Sequence, residues 1–106
     1  MKKILFLGGA RNQLSILKLA KSKGYFIILC DGYSECPGKK YSNKFFNCSI
    51  SNKEEILKIA KKENVNAIIS YASEAGALTQ SFVANKLKLP SNSLKSVKTL
   101  LFKNKF

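Results

Sequence analysis

Seven consecutive residues, Leu7-Gly8-Gly9-Ala10-Arg11-Asn12-Gln13, join two adjacent glycines to the chain's single arginine and two side-chain amides. Such a stretch can hold an anion or a small polar molecule. Glycine lets a backbone turn sharply and come close to a ligand. Arginine offers a planar fork of donors suited to carboxylate or phosphate. A helix starting here would add unpaired N–H groups and a positive dipole end. A plain strand-to-helix turn is the competing reading. A dinucleotide fingerprint, G-x-G-x-x-G, falls on Gly8, Ala10 and Gln13, so its second and third glycines are absent. Ala10 places a methyl group where a pyrophosphate would press, and Gln13 replaces the glycine that permits tight helix–strand packing. No Gly-Lys-Ser/Thr follows, so the stretch is not a Walker loop.

Other residues with chemistry are few. Asp31 ends an apolar run, where an acid can hold ribose hydroxyls. An Asp-Gly turn explains it equally well. Ser73-Glu74 stands between a strand end and a helix start. A helix cap is the preferred reading there, with a carboxylate facing the same cleft as Arg11 as the functional one. The chain has no histidine, so no Ser-His or Cys-His arrangement is available. Cys30, Cys36 and Cys48 have no identifiable base and read as buried or inert thiols. Their odd number argues against a disulfide frame, and their spacing fits no zinc ligand pair. No catalytic or metal-ligating residue is assigned.

The elements that must position these residues follow from hydrophobic pattern. Strands are expected over residues 3–7, 25–30, 45–48 and 65–70, with an irregular segment over 33–43. The run over 25–30 is continuously apolar, as in a parallel strand covered on both faces. Helices are expected over residues 12–23, from Ser51 or Asn52 to Asn64, and over 75–86. Their apolar faces should hold Leu14, Leu17 and Ala20 with Ile16 and Leu19 beside them, then Ile56, Ile59 and Ala60, then Leu78, Phe82 and Val83. A last helix capped within Ser91-Asn92-Ser93 would run through Val97, Leu100 and Leu101. Alternating strands and helices give an α/β fold, a three-layer, Rossmann-like, doubly wound domain with a parallel sheet of about four strands. Ligands of such folds sit outside the carboxyl ends of the strands, which singles out residues 8–13, 31–38 and 71–76.

The 106 residues suit one domain with a core of its own. Lys2 and Lys3 followed by four apolar residues are too little for a signal peptide, and no run reaches transmembrane length, so a cytoplasmic protein is expected. The formal net charge is +13. Strong basicity suggests nucleic acid or another anionic surface. The lysines are nevertheless scattered, no run exceeds two, and aromatics are not interleaved with them in the sequence. A solvated lysine surface with weak, unspecific attraction is the preferred reading.

The loops taken in order carry a resemblance. Leu7-Gly8-Gly9 with Asn12-Gln13-Leu14, then Asp31, then Pro37-Gly38, then Tyr71-Ala72-Ser73-Glu74-Ala75-Gly76, then Val83-Ala84-Asn85-Lys86-Leu87-Lys88-Leu89-Pro90 resemble the N-terminal, pre-ATP-grasp domain of ATP-grasp enzymes. The resemblance is nearest to carbamoyl-phosphate-synthase-like and phosphoribosylglycinamide-synthetase-like members. The closing residues 99–106 resemble the linking helix of that family.

The resemblance implies a Rossmann-like domain that binds no dinucleotide, within a ligase that joins a carboxylate to an amine or similar nucleophile through an acyl-phosphate. It implies ATP and Mg2+ in the parent enzyme, held by other lobes, and no cofactor in this chain. The implied substrate-binding positions are Gly8, Gly9, Ala10, Arg11, Asn12, Gln13, Asp31, Ser73 and Glu74, with Arg11, Asn12 and Glu74 facing an acceptor substrate. Residues 1–93 would form the domain and 94–106 the start of the linking helix. The implied partners are a small-molecule acceptor and the remaining lobes of the same protein. A homodimer stays open, and no membrane or specific nucleic acid is implied. With no second acidic cluster for magnesium and no phosphate-covering glycine-rich hairpin, the chain is expected to be a fragment inactive alone. Two alternatives stay open: a free-standing nucleotide- or dinucleotide-binding module, and a basic nucleic-acid-binding domain.

Overall fold

Four apolar runs become four strands, β1 (Lys3–Leu7), β2 (Phe26–Asp31), β3 (Lys44–Asn47) and β4 (Ala67–Ser70). The computed structural model describes residues 2–71 and 73–89. The strands form one all-parallel sheet in the order β3-β2-β1-β4. β1 lies inside it, with Ile4 and Phe6 in the core of one face and Leu5 and Leu7 in that of the other. A strand covered on both sides has no position for a polar side chain, hence the unbroken apolar sequence. β3 forms the edge, with Lys44 and Asn47 exposed. Lysine on an edge strand discourages pairing with a further strand.

One face is covered by α1 (Leu14–Ser22), whose Ile16, Leu17 and Ala20 join Ile4, Phe6, Ile27 and Leu29. The other is covered by α2 (Lys53–Glu63) and α3 (Glu74–Leu87). The three layers and the four-strand parallel sheet are those expected from the sequence. Local signals set the ends. The Asn52 side chain accepts from the Glu55 N–H at 3.3 Å and caps α2. Asn64 stops that helix in the left-handed region, at φ 54°, which asparagine tolerates. Ile56, Ile59 and Ala60 are buried as expected.

Four details differ. Leu14 is only partly buried, and α1 reaches the core through Ile16, Leu17 and Ala20. The helix expected from residue 12 begins as a 3-10 helix, Arg11–Gln13, and becomes α-helical only at Leu14. The irregular segment contains another 3-10 helix, Pro37–Tyr41. In α3, Leu78 is not in the core: it is 76% exposed, and Phe82 is only partly buried. The buried face runs instead through Gly76, Thr79, Gln80, Val83 and Ala84. Gly76 is the cause. A Cβ built there would lie 2.2 Å from Ser70 Oγ, so the helix rests on β4 through its smallest residue. That contact rotates position 78 outward. The expected last helix and the segment 94–106 lie outside the described residues.

Candidate functional site

The strand order places a crevice. From β1 the chain moves through α1 to β2 and then to β3, and α2 carries it back to β4 on the opposite side of β1. Where the direction of winding reverses, the loops leaving neighbouring strands part and leave room for a ligand. Here those loops are residues 8–13 after β1 and, after β4, the connection that holds Tyr71 and Ser73. Leu7 pairs in register with both Cys30 and Ser70, so the loops leave the sheet at one level.

The glycine stretch is tied to its own protein. Gly8 has φ +102° and donates its N–H to Cys30 O at 2.8 Å. The Gly9 N–H goes to Asp31 Oδ2 at 2.8 Å. The Ala10 N–H goes to Gln13 Oε1 at 2.8 Å. Three successive donors are therefore engaged, whereas a pyrophosphate cradle needs such N–H groups turned to the ligand.

Gln13 is 5% exposed, and its carboxamide lies against Gly8, where an added Cβ would stand 2.7 Å from Nε2. Its Nε2 donates to Tyr71 O at 2.9 Å, so one side chain straps the β1 loop to the β4 loop. Gly9 serves close packing as well. The Gly38 N–H donates to Gly9 O at 2.7 Å, and a Cβ on Gly38 would come within 2.8 Å of Gly9 Cα.

The other candidates divide between structural and open. Asp31 accepts from Gly9 N–H through one carboxylate oxygen and from Tyr33 N–H through the other, each at 2.8 Å. Ser73 caps α3, its Oγ accepting from Gly76 N–H at 3.1 Å. Arg11, Asn12 and Glu74 are exposed, and among the described residues their side chains have no hydrogen-bond or ion-pair partner. Arg11 and Asn12 stand on the β1 side of the crevice and Glu74 on the β4 side. Asp31 ends β2, on the far side of β1 from β4. Arg11, Asn12 and Glu74 thus keep exposed side chains at the ends of neighbouring strands, whereas Gly8, Gly9, Ala10, Gln13, Asp31 and Ser73 are engaged in hydrogen bonds within the protein.

The thiols are not poised for chemistry. Burial, reinforced by Cys48, Asp31 and Glu55, pushes Cys30 up to about 12. Burial also raises Cys36 and Cys48. All three are free and remain protonated near neutral pH. Among the described residues no group of three or more acidic or thiol side chains could hold a metal. Two surface cavities lie outside the crevice. One of about 490 Å³ follows the end of α3 at Gln80, Asn85 and Lys88. The other, about 450 Å³, lies at Glu35, Pro37, Lys39 and Lys40. Tyr71 and Gly38 enter the site through backbone atoms, which no side-chain pattern in the sequence could have marked.

No family model matches the sequence, and no curated protein matches it. Solved structures share the fold. A phosphoribosylglycinamide synthetase from Anaerococcus prevotii superposes with a TM-score of 0.76 at 22% identity, over 92% of this chain and 25% of that one. An N5-carboxyaminoimidazole synthetase from Staphylococcus aureus complexed with ADP gives 0.72 at 16% identity, over 86% and 24%. A UDP-glucose 4-epimerase from Thermotoga maritima, with UDP-glucose, gives 0.67 at 15% identity, over 83% and 35%. The class that the fold defines is therefore a Rossmann-like α/β domain. The chain is similar to part of each of these synthetases and spans about a quarter of their length.

Proposed function

We propose that the chain is the acceptor-substrate side of an ATP-dependent ligase that joins a carboxylate to an amine or similar nucleophile through an acyl-phosphate. The observation that carries this reading is the division within the glycine loop. Its backbone donors at Gly8, Gly9 and Ala10 are engaged internally, while Arg11 and Asn12 after β1 and Glu74 after the neighbouring β4 keep exposed side chains. That arrangement suits a small anionic acceptor held by side chains better than a pyrophosphate held by main chain. The likeness to two synthetases, one of them complexed with ADP, supports it. In this reading ATP and Mg2+ bind parts of the enzyme outside this chain, and the chain alone does not ligate.

Calorimetric titration with Mg–ATP tests the division of labour. The chain alone should release no binding heat, and tight Mg–ATP binding by these residues would overturn it. The second reading, a dinucleotide module, draws on the likeness to the epimerase. Titration with NAD(P)H followed by its fluorescence decides between the two. The engaged N–H groups and the Gln13 strap lead us to expect no binding.

A further inference from the structure

The six acidic residues are unequally shared between the two faces of the sheet. Glu54, Glu55, Glu63 and Glu74 all belong to α2 and α3. α1 and the 3-10 helix Pro37–Tyr41 carry none, and no acid precedes Asp31 in the chain. Both oxygens of Asp31 face main-chain N–H groups, which leaves Glu35, among the described residues, as the one free carboxylate beside this face.

Folding gathers lysines here that are far apart in the sequence. Lys18 Nζ of α1 lies 5.8 Å from the centre of the Tyr41 ring, and Lys40 Nζ approaches the same ring to 5.4 Å. Lys39 Nζ lies 5.1 Å from the Phe45 ring. All three lysines are exposed, and none is ion-paired among the described residues. Tyr41 and Phe45 are partly buried and packed against the core of this face, which holds the rings in place. Interleaving of cations and aromatics, absent from the linear pattern, is present in space. A similar pair, Lys53 and Lys86 at Phe82, stands on the opposite face, where Glu54 and Glu55 begin the same helix as Lys53.

The geometry points to a surface for single-stranded nucleic acid, held through its phosphodiester backbone without sequence preference. Lysine meets phosphate as a point charge from many directions. The three lysines include no arginine fork, the group that would pair carboxylates two-pronged, which favours a phosphate chain over an acidic peptide. When Lys18, Lys39 and Lys40 turn from the rings to phosphates, the outer faces of Tyr41 and Phe45 are uncovered for unpaired bases, which a duplex does not offer. A face almost free of acid also concentrates a polyanion nearby. This surface is independent of the substrate crevice.

The test is fluorescence anisotropy of the full chain with a labelled oligothymidylate of about 20 nucleotides, longer than a typical single-module site. One variant carries Lys18→Gln, Lys39→Gln and Lys40→Gln. The control carries Lys58→Gln, Lys61→Gln and Lys62→Gln, equally exposed on α2. Both remove three charges, and thermal melts confirm that both fold. The first variant should bind at least about tenfold more weakly and reduce the log–log salt slope by about 2, at about 0.7 for each phosphate no longer neutralised. The control should change affinity less than about threefold. Equal weakening of the two would assign the attraction to net charge alone and overturn the proposal. So would absence of binding by the native chain, preference for a duplex, or equal binding of polyglutamate.

Discussion

Behind the β1 loop a glycine meets that loop's backbone and a leucine side chain; at the start of α3 a glycine meets serine side chains alone. A Cβ at Gly38 would stand 2.8 Å from Gly9 Cα and 2.9 Å from Gly9 O, as well as 2.6 Å from Leu17 Cδ1. A Cβ at Gly76 would meet Ser70 Oγ first, at 2.2 Å, and then Ser70 Cβ at 3.2 Å. Backbone tied by three hydrogen bonds at Gly8, Gly9 and Ala10 has nowhere to move. Ser70 Oγ is also engaged, donating to Ser73 O at 3.4 Å, but through a side chain and not through main chain. The first wall is therefore the more rigid of the two and the second the more adjustable. In a two-walled site the rigid wall sets position, and the other can accommodate what differs between ligands.

Gly38→Ala is the largest expected perturbation of that contrast. It should cost about 2–3 kcal/mol, the scale of overpacking against atoms that cannot relax, measured by urea denaturation. A loss smaller than that of Gly76→Ala would invert the comparison. Gln13→Ala comes next, at about 1–2 kcal/mol, because Tyr71 O and the Ala10 N–H lose their partner together. Hydrogen exchange gives a more local reading: the Ala10 amide should exchange faster in the variant, while the core amides of β1 slow or quicken only with global stability.

Gly76→Ala should cost less, about 1 kcal/mol. The clash with Ser70 Oγ is partly offset by alanine's advantage over glycine within a helix, about 0.5–1 kcal/mol. A double-mutant cycle with Ser70→Ala isolates the contact. The second substitution should soften the first, and strict additivity would mean that Gly76 does not rest on Ser70 at all.

Much of this fold is legible in the sequence, because strands covered on both sides and amphipathic helices write their burial into their pattern. Ile56, Ile59 and Ala60, or the Asn52 cap, follow from spacing and residue type. Leu78 misleads because hydrophobic pattern favours large residues, whereas the orientation of α3 is decided by the absence of a side chain at Gly76. The glycine loop misleads in a related way. Adjacent glycines announce close approach, but the sequence does not say whether a ligand or Gly38 approaches. Gln13 carries no signal of its strap, since its partners are the main chain of Ala10 and Tyr71. Lysines distant in the chain likewise meet at Tyr41 only once α1 lies beside residues 37–41.

Arg11→Ala has the smallest expected effect on folding and the sharpest bearing on function. The side chain is exposed and has no hydrogen-bond or ion-pair partner among the described residues, so stability should change by no more than about 0.5 kcal/mol. In an enzyme carrying this domain, binding of an anionic acceptor should weaken by about 1.5–3 kcal/mol, the scale of a hydrogen bond to a charged group. Glu74→Gln serves as its counterpart on the adjustable wall. If the acceptor is anionic and also carries an amine, Glu74→Gln weakens it as well. If it is purely anionic, removing that carboxylate tightens binding, because a like charge has left the crevice. Measured together by calorimetry, the two signs report the charge pattern of the acceptor. A null result at Arg11 with folding intact would separate the arginine from the site and leave the β1 wall to act through shape alone.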